Sequence, residues 1–201
     1  LLPLHHDIIF PFLKEAIFMR CAWATISELD QKYHDEEWGV PCFDDQKLFD
    51  ILTLEVMQAG LSWSTILKKR EGFREAFNQF EIHKVSQFTK NNIEHLLQNP
   101  KIIRHRQKIE ATIQNAKIIL QLQNQYGSFH EFLWNKFNYT PIINHWETME
   151  EVPSSTPLTE QLCKEFKKMG FKFIGPTTLY SFLQASGIIN DHLDSCPFKH
   201  K

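Results

Sequence analysis

Cysteine is sparse in this chain of 201 residues. Cys21, Cys42, Cys163 and Cys196 are too few for a disulfide scaffold. Long apolar runs are missing as well. Even Ile8–Leu13 is only six residues, against the roughly 20 that cross a bilayer, so no membrane partner is expected. The N-terminus has neither the basic leader nor the small cleavage-site residues of a secretory signal. It also lacks an initiator methionine, whereas Met19-Arg20-Cys21 reads as a natural start. Leu1–Phe18 is therefore expected to be a poorly ordered extension outside the functional unit, residues 19–201. These absences point to the cytoplasm. Net charge is only −2, so electrostatics do not announce a nucleic-acid partner globally. Sustained polar–apolar alternation, internal repeats and low-complexity tracts are absent too.

What remains is helical periodicity in a chain that is 42% hydrophobic and 13% aromatic, enough for one domain with a sizeable core. Asp44 or Asp45 can cap a helix with the stripe Leu48, Ile51, Leu52 and Val56, ending near Gly60. A second helix starts around Ser62, with Gly72 as a break. Asn91-Asn92 precede a short helix that stops before Pro100. A long amphipathic helix covers Arg104 to Tyr126, and Ser128 to Glu131 is a capping box for the next. Thr156-Pro157 opens a helix that Gly170 closes, and Pro176 to Ser186 forms the last long one. Residues 139–155 are expected to wander over the surface. The fold class is all-α.

Glu55 projects from the apolar stripe of its helix, seven residues after Leu48 and four after Ile51. A carboxylate there is costly to bury unpaired. It is either a structural partner of a buried arginine or helix N-terminus, or a functional group. Trp23, Tyr33, Trp38 and Trp63 lie close together in the chain. Each alone reads as core; together with Glu55 they can form a pocket for a flat, electron-poor or cationic ring. Cys21 and His34 near the start, with His192 and Cys196 at the end, are a donor set for one closed, structural zinc. The competing reading is two buried thiols and two hydrogen-bonded histidines. His192 and Cys196 have the spacing of one helical turn. Basic residues cluster in three bands, around Lys68–Arg74, Lys101–Lys108 and Lys164–Lys172, which are either one phosphate-facing surface or solvated helix faces. The hairpin Asn99 to Lys108 can aim backbone N–H groups at phosphates, although it lacks the glycines that ease such an approach.

Six stretches, in order, resemble one family: Met19-Arg-Cys-Ala-Trp23, Tyr33-His-Asp-Glu-Glu-Trp-Gly39, Leu54-Glu-Val-Met-Gln-Ala-Gly-Leu-Ser-Trp63, Ile102-Ile-Arg-His-Arg106, Gly170-Phe-Lys-Phe-Ile-Gly175 and Asn190-Asp-His-Leu-Asp-Ser-Cys196. The family is bacterial 3-methyladenine-DNA glycosylase I, of the helix–hairpin–helix superfamily, and the resemblance covers Met19 to about Phe198. It implies that Cys21, His34, His192 and Cys196 bind one structural zinc joining the chain ends. It implies that Glu55 contacts a flipped base, with Trp23, Tyr33, Trp38 and Trp63 in or around its pocket. Ala59-Gly60-Leu61 then wedges into the duplex, and Arg104, His105, Arg106 and Lys108 belong to a DNA-gripping hairpin. One position departs: Asp30 stands where many members carry a second pocket tyrosine, which weakens base stacking or brings a carboxylate near a cationic ligand.

The implied activity is monofunctional hydrolysis of the N-glycosidic bond of 3-methyladenine in double-stranded DNA, by a monomer. Methylation at N3 makes the base cationic and a good leaving group, so flipping, aromatic holding and stabilisation of an oxocarbenium-like sugar suffice. No residue stands out as a Schiff-base lysine. A damaged-DNA binding module without excision, motivated by Asp30, is the alternative. A zinc hydrolase is disfavoured, because four protein ligands leave no open position and the chain has no His-Glu-x-x-His.

Overall fold

The computed structural model describes residues 19–200; Leu1–Phe18, expected to lie outside the functional unit, falls outside these. The described residues are mostly helical: α1 Glu28–Glu36, α2 Asp45–Gln58, α3 Trp63–Ala76, α4 Ile82–Ser86, α5 Lys90–Gln98, α6 Arg106–Tyr126, α7 Phe129–Asn135, α8 Pro157–Met169 and α9 Pro176–Ala185. None of these helices is long and apolar enough to cross a membrane.

Local chemistry sets the starts. The side chains of Ser27, Asp44, Ser62 and Ser128 accept the N–H groups of Asp30, Lys47, Thr65 and Glu131. At α8, Thr156 and Thr159 satisfy each other's backbone, Pro157 fills the first turn, and Gly170 ends the helix at φ 101°. The main core is aromatic, with Phe49, Phe73, Phe77 and Phe80 fully buried on one side of α6 and Phe129, Phe166 and Phe182 likewise enclosed. A second cluster gathers Cys21, Tyr33, Trp38, Leu67, Leu193 and Cys196, bringing the two ends of the described chain together.

Three expectations need correction and one is refined. Helix α3 runs unbroken through Gly72, whose missing side chain instead admits the hairpin: a Cβ there would lie 2.6 Å from Lys101 O. Asn91 and Asn92 lie inside α5, where Thr89 is the cap and Asn92 its reciprocal partner. The segment 139–155 is largely irregular and runs at the surface with none of its residues buried, yet it is anchored. Its residues Ile142–Ile143 form β1, which pairs in parallel with β2, Ile189–Asn190, and Met149, Val152 and Ser154 face a cavity. Finally, His192 and Cys196 sit on an irregular turn after β2, closed by Cys196 N–H donating to Leu193 O at 2.9 Å, rather than on a helix.

Candidate active site and metal centre

Asp44 starts α2 so that its last turn presents Glu55 and Gln58 to a cavity of about 370 Å³, inside the range of roughly 300–1,000 Å³ usual for ligand sites. Trp23, Tyr33, Trp38 and Trp63 line it together. The ring centres of Trp23 and Trp38 are 5.1 Å apart, edge to face, and those of Tyr33 and Trp63 are 4.9 Å apart. All five expected residues therefore meet in one place.

Five buried side-chain polar atoms among the described residues have no hydrogen-bond partner, and three of them belong to residues that line this cavity: Tyr33 Oη, Glu55 Oε2 and Trp63 Nε1. Each such atom costs about 1–3 kcal/mol. Their gathering around one cavity marks a site that awaits a polar ligand. Among the described residues no ion pair or hydrogen bond joins Glu55 to an arginine or to a helix N-terminus. Burial alone pushes its carboxyl up to about 8. Burial, and next the Glu55 charge, raise the Tyr33 phenol well above its ordinary value.

Asp30 does not reach the cavity. Its carboxylate accepts Ser27 Oγ–H at 2.5 Å and Ser64 Oγ–H at 2.7 Å, tying α1 to α3. Of the two effects expected of Asp30, the loss of a stacking ring is untouched by this, and its charge is engaged by two hydroxyls outside the cavity lining.

Residues that the sequence reading passed over complete the far wall. Thr177, Tyr180, Ser181 and Gln184 on α9 all line the cavity. Behind them, fully buried Asp191 accepts four donors: Asn144 Nδ2 at 2.7 Å and Trp146 Nε1 at 2.8 Å on one oxygen, Tyr180 Oη at 2.5 Å and Gln184 Nε2 at 2.7 Å on the other. It fastens segment 139–155 to α9. Thr177, Tyr180, Ser181 and Gln184 follow an i, i+3, i+4, i+7 spacing, a polar stripe visible in the sequence.

Beside the cavity, Cys21, His34, His192 and Cys196 are all buried, with ligand atoms within 4.8 Å of one another. Cys196 Sγ is 3.6 Å from His34 Nε2 and 3.4 Å from His192 Nδ1; Cys21 Sγ is 3.8 Å from His192 Nδ1. Tetrahedral zinc, with Zn–S near 2.3 Å and Zn–N near 2.0–2.1 Å, needs ligand–ligand edges of roughly 3.3–3.8 Å. The outer nitrogens are already engaged, His34 Nδ1 with Asp35 Oδ1 at 2.8 Å and His192 Nε2 with Trp38 O at 3.1 Å. These acceptors fix the tautomers that leave both inner nitrogens as lone pairs. The Cys21 thiol, followed by the two imidazoles, holds Cys196 far down as a thiolate, whereas Cys21 is raised by that same contact and by burial. The donor set fits a divalent cation of borderline softness.

On the neighbouring surface, Gly60 (φ 81°) and Leu61, 40% exposed, form a tight turn after α2. Arg104 and His105 are exposed, and His105 caps α6. Arg106 is exposed but ion-paired with Glu94 at 2.8 Å. Lys108 departs from expectation: it is 4% exposed and points inward, donating to Met57 O and Ala59 O. Backbone carbonyls, not solvent, hold its ammonium, so it offers no phosphate contact.

A family model described as methyladenine glycosylase matches residues 23–200. The chain belongs to the methyladenine glycosylase family. It is 46% identical over 180 residues to "DNA-3-methyladenine glycosylase" of Haemophilus influenzae, covering 90% of this chain and 97% of that protein. It is 46% identical over 177 residues to "DNA-3-methyladenine glycosylase 1" of Escherichia coli K12, covering 88% and 95%. The solved structure of 3-methyladenine DNA glycosylase I from Staphylococcus aureus, which describes 3-methyladenine recognition, superimposes with a TM-score of 0.86 at 43% identity over 90% of this chain and 96% of that one. The match to the methyladenine glycosylase family takes in the cavity, His34, the C-terminal metal-site residues His192 and Cys196, and the hairpin; only Cys21 among these falls just before it.

Proposed function

We propose that this protein is a monofunctional DNA glycosylase that hydrolyses the N-glycosidic bond of 3-methyladenine in double-stranded DNA, acting as a monomer. The observation that carries the reading is the aromatic cavity with its three unpartnered polar atoms, Tyr33 Oη, Glu55 Oε2 and Trp63 Nε1. An N3-methylated adenine flipped out of the duplex brings a flat cationic ring to the tryptophan and tyrosine faces. Its exocyclic amine donates to Glu55. The cation's approach draws Glu55 down from its raised value, so the ionised carboxylate forms where positive charge arrives. Unmodified adenine is neutral, supplies no such pull and holds its sugar firmly.

The base departs neutral, so no strong general acid is required. Water then takes the oxocarbenium-like sugar. No lysine lines the cavity, which supports hydrolysis without a Schiff base or strand cleavage. Leu61, at the tip of its turn, fits the role of filling the gap that the flipped base leaves, while Arg104, His105 and Arg106 on the hairpin meet phosphates. This use of the hairpin supports reading the fold as one of helix–hairpin–helix glycosylase type. Such work belongs where a bacterium keeps its DNA, in the cytoplasm.

Cys21, His34, His192 and Cys196 hold one zinc, which supplies structural closure of the chain ends and no catalytic position, since four protein ligands complete its sphere. The excision-free alternative keeps one motive, the missing tyrosine ring, since the Asp30 carboxylate itself is engaged by Ser27 and Ser64. Release of free base from methylated DNA tests the reading. Glu55→Gln should lose most of that release while the fold survives, and unchanged release would remove Glu55 from the chemistry.

A further inference from the structure

Helix α2 ends without the usual means of satisfying its last carbonyls. It has no basic residue in its final turn, and its C-cap is Ala59 rather than glycine. Lys108, from the first turn of α6, takes over that task. Its ammonium donates to Met57 O at 2.9 Å and to Ala59 O at 2.6 Å. It also lies 5.7 Å from the centre of the Phe173 ring. Among the described residues no carboxylate pairs with it, so the negative end of the α2 dipole is its counter-charge.

One of these carbonyls decides a conformation. Ala59 stands at φ −46°, ψ 114°, Gly60 stands at φ 81°, and Leu61 N–H donates to Gln58 O at 2.6 Å. This is a type II turn over residues 58–61. Types I and II differ by a flip of the central peptide, here Ala59–Gly60, and Ala59 O is its oxygen. Glycine adopts either form freely, so Gly60 does not choose between them. In type I the oxygen swings away from where Lys108 Nζ waits.

We propose that Lys108 is a positioning residue that holds this turn in its type II form and so sets how Leu61 is presented beside the cavity. Because Lys108 follows His105, the cap of α6, by three residues, it also links the turn to the exposed hairpin. The consequence for excision rests on the function proposed above; the conformational part stands on the turn alone.

A double-mutant cycle tests both parts. Gly60→Ala puts a Cβ at φ 81°, where nothing crowds it within 4 Å and only backbone strain opposes it. It should lower the unfolding midpoint of the parent protein. In Lys108→Met, where the peptide is free to flip, the same change should cost nothing further; additive losses would overturn the proposal. In activity, Lys108→Met should lose about tenfold or more in base release from methylated duplex, and less than about threefold from methylated single strands, where no stack is wedged. Equal losses on both would reduce Lys108 to general support of α2 and contradict the role. If Lys108→Met fails to fold, Lys108→Leu, which likewise removes the donor, runs the same cycle with the same opposing outcomes. A parent protein that releases no base from either substrate defeats the functional reading instead, and the midpoints still decide the turn.

Discussion

At the scale of single residues, Glu55 is held where its charged form is disfavoured, and that has a thermodynamic signature. Its folded-state value, pushed up to about 8, lies above the ordinary 4.5 of the unfolded chain. The folded protein therefore binds the extra proton between those values. The stability that goes with neutral Glu55 is fully present below pH 4.5 and is lost as pH rises through about 8. Urea unfolding of the parent and Glu55→Gln should show the parent falling behind the variant across this window, by about 1.4 kcal/mol per pH unit at most. A difference independent of pH would show that Glu55 is not buried in its acid form. Asp191 is the opposite case, a buried carboxylate with every lone pair used. Asp191→Asn turns an amide toward two of its four donors. It should cost about 2–6 kcal/mol in denaturant unfolding, at roughly 1–3 kcal/mol per stranded donor.

At the scale of elements, caps and prolines were legible, and contacts between elements were not. Asp44, Thr156-Pro157 and Gly170 announce the boundaries of α2 and α8 because capping is a local matter of one side chain and a few N–H groups. Gly72 was read as a local break because the sequence does not display its real cause, the backbone of Lys101 pressed against α3. Helix propensity alone favours alanine at such a site by about 1 kcal/mol. A Cβ at 2.6 Å from a backbone oxygen should outweigh that, and Gly72→Ala should lower stability by roughly 1–2 kcal/mol net, seen as a drop of a few degrees in Tm. The anchoring of segment 139–155 is hidden from the sequence for the same reason. Its anchors, Asp191 and β2, lie some fifty residues downstream, beyond the reach of any local pattern.

At the scale of the whole molecule, the ends close upon the active cavity. Trp38 lines the cavity and, through its carbonyl, orients His192, while His34 packs 5.2 Å from Trp23. Residues that the sequence offered as one donor set among competing readings, Cys21 with Cys196 above all, are thus joined in space. The purified protein should carry one zinc per chain. Cys196→Ala should lose it and melt markedly lower by calorimetry, and a variant with no loss of metal or Tm would refute the clasp. The aromatic cluster and Glu55 were legible because a carboxylate in an apolar stripe is anomalous on its face. Inward-facing Lys108 was not, since charge and position alone resemble a phosphate contact.

The central claim, that the cavity excises a methylated adenine, is tested most directly by chromatography of the base released from methylated duplex DNA. Free 3-methyladenine should appear far faster than by spontaneous loss, with intact strands, and Glu55→Gln should lose most of that rate. Release no faster than without protein would contradict it.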